Sequence, residues 1–116
     1  MPVIRNIPHE SVLSLKDEVQ VQPGQVVSKT LVQNSSVSIT LFAFAQGEEI
    51  SSHKSGGDAL ATVFEGKGRF TVGGKDHLLS EGESLVMPAD IPHAIYAPES
   101  FKWMLIVAFP KNDAQK

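Results

Sequence analysis

Residues 53–66 read HKSGGDALATVFEG: a histidine, a serine two positions on, a Gly-Gly-Asp stretch, then an apolar run closed by Glu-Gly. The chain holds four histidines, His9, His53, His77 and His93, and no cysteine. Thiolate nucleophiles, disulfides and Cys-ligated zinc are excluded, so any metal ion must be held by imidazole nitrogens and by carboxylate or neutral oxygens. No Gly-x-Ser-x-Gly elbow, phosphate-binding loop or dinucleotide fingerprint occurs. Glu65, Glu81 and Glu83 stand in loop contexts, where a carboxyl is solvated; general acid–base work needs one held inside a cleft. His9 lies in an irregular region with nothing to tie it to a site.

The elements that must position these residues are short. From Val26 onward, segments rich in β-branched and aromatic residues (VVSKTLV, VSITLFAF, LATVF, RFTV, KDHLL, SLVM, HAIYA and KWMLIVAF) alternate with Gly, Pro, Asn and Ser. That is the pattern of an all-β antiparallel sandwich or barrel. The alternation of Val37, Ile39 and Leu41 against Ser38 and Thr40 gives one buried and one wetter face. Gly73-Gly74 is a two-residue hairpin signal, since both central positions accept positive φ. The hairpin sets Val72 opposite Lys75 and Phe70 opposite His77, so Phe70, Val72, His77 and Leu79 share one face, the inner one. Before Val26 the chain is irregular. SLKDEV starts a short helix with Ser14 as N-cap, and Pro23-Gly24 ends it. Gly66 and Gly68 flank a turn. The expected organisation is an N-terminal arm over 1–25, one barrel over 26–110 and a frayed tail over 111–116.

Length and composition agree with a single domain. The chain has 116 residues, 41% of them hydrophobic, and a net charge of −3 without a Lys/Arg stripe. Nucleic acid is not an expected partner. The longest apolar run, WMLIVAF from Trp103 to Phe109, is far below the roughly 20 residues that span a bilayer. It reads as a buried strand, and no membrane association is expected. The N-terminus lacks the apolar stretch of a secretory signal, which makes the cytoplasm the expected location.

Two spaced motifs carry a resemblance. Gly47, five residues, His53-Lys54-Ser55, three residues, Ala59, six residues and Gly66 fit one frame; Gly82, five residues, Pro88-Ala89-Asp90, two residues, His93, three residues and Ala97 fit another. From Leu41 to Phe109 the chain resembles a small single-domain cupin of the conserved-barrel type, a β-barrel (jelly-roll) fold. The resemblance implies a metal site of three histidines and one glutamate, which fall here on His53, Ser55, Ala59 and His93. Only the two histidines are retained. A serine hydroxyl is a poor ligand for a first-row divalent ion and an alanine methyl is none.

Two replacements are open. Asp58 neighbours the vacant carboxylate position but points to the other face of a regular strand unless a bulge turns it. His77 shares the inner face with Phe70 and is the stronger candidate for a third nitrogen beside His53 and His93. Ser55 and Phe70 are then expected to line the pocket, and Asp90 to stabilise the turn before His93. The preferred reading is a small-molecule-binding barrel with a depleted histidine site that holds one divalent transition metal (Fe, Ni, Zn or Mn) or none. One alternative is a metal-dependent enzyme of dioxygenase, isomerase or decarboxylase type using His53, His93 and His77. A structural subunit of an assembly is another. A homodimer is expected, because pairing would protect exposed strand edges.

Overall fold

The computed structural model describes residues 2–111, so the expected frayed tail lies outside the described residues except for Lys111. Among the described residues, nine strands form two antiparallel layers: β1 (Val26–Gln33), β2 (Val37–Phe44), β3 (Glu49–His53), β4 (Asp58–Glu65), β5 (Lys67–Val72), β6 (Lys75–Ser80), β7 (Ser84–Met87), β8 (His93–Tyr96) and β9 (Phe101–Ala108). One sheet runs β1-β2-β9-β4-β7 and the other β3-β8-β5-β6. The all-β jelly-roll barrel expected from the sequence is what forms. Among the described residues, no helix is long and apolar enough to cross a membrane.

The Gly-Gly hairpin sets the register it was expected to set. Gly73 and Gly74 have φ of 56° and 82°, and Val72 faces Lys75 while Phe70 faces His77. Phe70 and Leu79 are buried in the inter-sheet core, and Val72 packs against it. That core is aromatic at its centre. Trp103 stacks on Phe42 at 4.7 Å between ring centroids and meets Phe70 nearly perpendicularly at 5.1 Å. Phe44, Phe70, Phe101 and Trp103 are all fully buried.

A second core lies on the outer face of the five-stranded sheet. The arm before Val26 folds onto it, placing Ile7, Leu15, Val19 and Val21 against Leu31, Leu41 and Ala43. Arg5 N–H donates to Leu31 O at 2.8 Å and Asn6 Nδ2 to Thr30 O at 2.6 Å, so the start of the arm is tied to β1. The expected helix shrinks to a 3-10 turn over Leu15–Glu18, and Ser14 makes no side-chain cap bond.

Two further expectations are corrected. Glu49–His53 lies in a stretch read as a loop, yet it is a strand. Four of its five residues are exposed, so it carries no apolar alternation, and its pairing with β8 is what makes it a strand. Gly68 belongs to β5 and not to the turn at Gly66. A Cβ there would lie 2.3 Å from Phe101 Cε2, so the bare backbone makes room for a core ring.

Candidate functional site

Both motif histidines arrive at one end of the barrel. His53 ends β3, His93 begins β8, and the two are direct partners across the ladder. Their rings lie 4.3 Å apart between centroids and 69° apart in plane. His53 is exposed and His93 is 3% exposed, so the pair spans from solvent to interior.

Each ring is pinned in the same way. His53 Nδ1 meets Ser51 O at 2.9 Å, and His93 Nδ1 meets Ile91 O at 3.3 Å. A carbonyl oxygen only accepts, so each Nδ1 carries a proton, and in the neutral ring the lone pair falls on Nε2. An outer hydrogen bond that sets the tautomer is the usual support of a metal-ligating histidine. The Ser51 and Ile91 carbonyls have no signature in side-chain sequence, since any residue supplies the same group. Burial, and after it the nearby His53, hold the His93 pKa below the ordinary 6.5, while the Ile91 contact acts weakly the other way. His93 is thus neutral at neutral pH and able to coordinate.

That depression carries a sign. The unfolded chain takes up a proton near pH 6.5 while the folded chain resists until lower pH, so stability is full above 6.5 and falls as pH drops toward the folded value. With chelator present, urea midpoints at pH 7.5 and 5.5 are expected to differ more for the parent than for His93→Gln. Equal differences would show that His93 does not contribute.

The loops behind the pair are stitched together. Asp90 N–H donates to Ser55 O at 2.9 Å, and Ala89 N–H donates to Asp58 Oδ1 at 2.8 Å. Asp90 takes φ 64°, in the left-handed region that favours glycine and that aspartate tolerates. The Asp58 carboxylate is exposed and engaged with a backbone amide, in a structural role. Ser55 Oγ donates to Gly57 O at 2.6 Å, which closes the same loop.

His77 shares the inner face of its sheet but not the neighbourhood of the pair. β5 separates β6 from β8, and His77 faces Phe70, whereas His93 faces Val72. It borders a different cleft with Leu79, Glu83 and Leu85. Among the described residues, no group of three His, Asp or Glu side chains is placed to hold a metal ion. Phe70 packs in the aromatic core. The family's three-His, one-carboxylate centre therefore does not fit this chain; two imidazoles do stand together.

The comparisons agree with the fold. The sequence profile of the family described as "Cupin domain" matches residues 40–109. A conserved protein of unknown function from Streptococcus pyogenes is 42% identical, with 97% of this chain and 98% of that one covered at a TM-score of 0.94. A cupin superfamily protein from Desulfitobacterium hafniense is 32% identical over 92% of this chain and 98% of its own, with a TM-score of 0.87. Salicylate 1,2-dioxygenase from Pseudoaminobacter salicylatoxidans is 22% identical over 81% of this chain and 28% of its own, at a TM-score of 0.67, a likeness of fold alone. No curated protein matches the sequence. With both motif frames in register on a two-sheet barrel and the family profile spanning most of it, the chain belongs to the cupin family.

Proposed function

We propose that the protein is a small-molecule-binding cupin that holds one divalent transition ion through Nε2 of His53 and Nε2 of His93. The observation that carries this reading is the matched pair of Nδ1–carbonyl bonds, which leaves two lone-pair nitrogens on adjacent rings. A two-nitrogen site without a protein carboxylate favours Ni or Zn over Fe and Mn, since the affinity of such a site for divalent ions is lowest for Mn and next lowest for Fe. When bound, such an ion offers its open positions to oxygen or nitrogen donors of a small molecule. The chain's own part is to hold the rings, keep His93 neutral and present the His53 side to solvent. No Asp or Glu among the described residues joins the pair, and family position Ala59 is a buried methyl, so this reading favours binding over turnover. The test is metal loading of the parent and of His53→Ala, developed in the Discussion.

The same reading includes a homodimer. On the outer face of the five-stranded sheet the arm covers only part of the apolar surface. Ile39, Ile106, Leu60 and Val86 form one row across four strands, with Leu60 37% and Val86 53% exposed. A second copy would cover the uncovered end. Light scattering at micromolar concentration is expected to give twice the chain mass, falling to one chain for Leu60→Glu with Val86→Glu. A monomeric parent sinks the idea.

A further inference from the structure

Pro88 to Ile91 make a four-residue turn just before His93. Ile91 N–H donates to Pro88 O at 3.3 Å, and Asp90, the third residue, has φ 64°. The internal bond of such a turn uses only the fourth amide, so the two central amides need partners elsewhere. Residues that follow His53 supply both. Ala89 N–H donates to Asp58 Oδ1 at 2.8 Å, and Asp90 N–H donates to Ser55 O at 2.9 Å. The fourth residue of the turn, Ile91, carries the carbonyl that meets His93 Nδ1. At 3.3 Å the closing bond of the turn and the Ile91–His93 bond are both long, so neither fixes that carbonyl unaided.

Asp58 presents its carboxylate from a rigid place. Its backbone opens β4 and pairs with Ala108 of β9. Gly57 before it lies so close to β9 that a Cβ would stand 2.4 Å from Ala108 O, and Ser55 Oγ closes the loop on Gly57 O at 2.6 Å. After the turn, Gly73 N–H donates to Pro92 O at 2.8 Å. The Ile91 carbonyl is therefore held from both sides, by Asp58 and Ser55 before it and by Gly73 after it. We propose that Asp58 is a positioning residue of the histidine site: its carboxylate holds the turn so that the Ile91 carbonyl keeps the proton on His93 Nδ1 and leaves Nε2 bare. The tautomer of an imidazole follows the hydrogen bond that its other nitrogen makes. A turn released at Ala89 loosens that bond and lets the proton pass to Nε2. The inference rests on the reading of His93 Nε2 as a metal-binding nitrogen and extends it to a side chain that bonds to neither ring.

Proton–nitrogen correlation spectra of the imidazoles, at pH 7.5 with chelator present, read each tautomer without any metal. In the parent both His53 and His93 should carry the proton on Nδ1. Asp58→Ala should move His93 mostly to the Nε2–H form and leave His53 unchanged, since the Ser51 bond lies within its own strand. Asp58→Asn, whose amide oxygen still accepts from Ala89, should keep His93 as in the parent. General loosening of the barrel would neither spare His53 nor be rescued by asparagine. In chelator competition Asp58→Ala should bind Zn about 10-fold more weakly than the parent, the low end of what outer partners of a metal ligand supply. An unchanged His93 tautomer in Asp58→Ala overturns the proposal, and so does a shift in Asp58→Asn as large as in Asp58→Ala. A parent that takes up no Zn while the His93 tautomer still answers to Asp58 defeats the metal reading and supports the positioning role. Should Asp58→Ala fail to fold, Asp58→Val, favoured in strands and without an acceptor, is read in its place by the same criteria.

Discussion

Trp103→Ala is expected to destabilise the protein by about 3–5 kcal/mol, the range for emptying a buried aromatic site. The ring is fully buried, stacks on Phe42 at 4.7 Å, and contacts Phe44, Phe70 and Phe101 at centroid distances of 5.8, 5.1 and 6.2 Å. It joins the sheets, since Phe42, Phe44 and Phe101 belong to one layer and Phe70 to the other. A domain's total stability is about 5–15 kcal/mol, so this one substitution threatens the fold. Trp103 is the only tryptophan, and unfolding should therefore be followed by far-UV circular dichroism in urea.

Trp103→Phe is the informative partner. Among the described residues, Trp103 Nε1 is the one buried side-chain polar atom without a hydrogen-bond partner. Phenylalanine removes that orphan donor and keeps a ring against Phe42, so its cost should be well under half that of alanine. An alanine loss below about 1.5 kcal/mol would mean that the neighbouring rings collapse into the space, contrary to the usual partial relaxation of packed cores.

The second large effect concerns metal. The parent, incubated with Ni or Zn and freed of excess, is expected to retain close to one equivalent, with weaker retention of Fe and least of Mn. His53→Ala and His93→Ala should each lose it. Removing an outer hydrogen-bond partner of a metal ligand costs about 10–100-fold in affinity, and removing one of two ligands must cost more. The two variants should differ in stability when chelator is present. His53 is exposed, so its replacement should stay within about 0.5 kcal/mol of the parent; His93 is buried, and its loss should cost roughly 2 kcal/mol. This split separates metal loss from misfolding. A variant that keeps its full equivalent of metal, or a parent that takes up none of the four ions, defeats the proposed two-histidine site.

Fold class, hairpin register and the two motif frames were legible in the residue order because each depends on near neighbours. Alternation is local, two glycines suffice for a tight turn, and the spacing of His53 and His93 from their flanking glycines survives any detail of packing. The hairpin put Phe70, Val72, His77 and Leu79 on one face, the apolar members marked it as the inner one, and the burial of Phe70 and Leu79 bears this out. Phe42 and Phe44 share a face for the same reason, but which face needed the opposing layer. Phe64 lies in the outer core, on the face opposite Ala59, Ala61 and Val63, as alternation along β4 requires.

The rest was decided by contacts between segments distant in sequence. Polar Glu49–His53 becomes a strand because β8 pairs with it. Periodicity placed His77 on the inner face, and the insertion of β5 between its strand and that of His93 set it apart from the pair. The pinning of both imidazoles by backbone carbonyls, and the burial of Lys102 beneath the arm, depend on how chain segments fold over one another. Sequence determined which side chains share a face, a short-range property of the backbone; tertiary structure alone decided which side chains meet, because strand order is set by the burial of whole sheets.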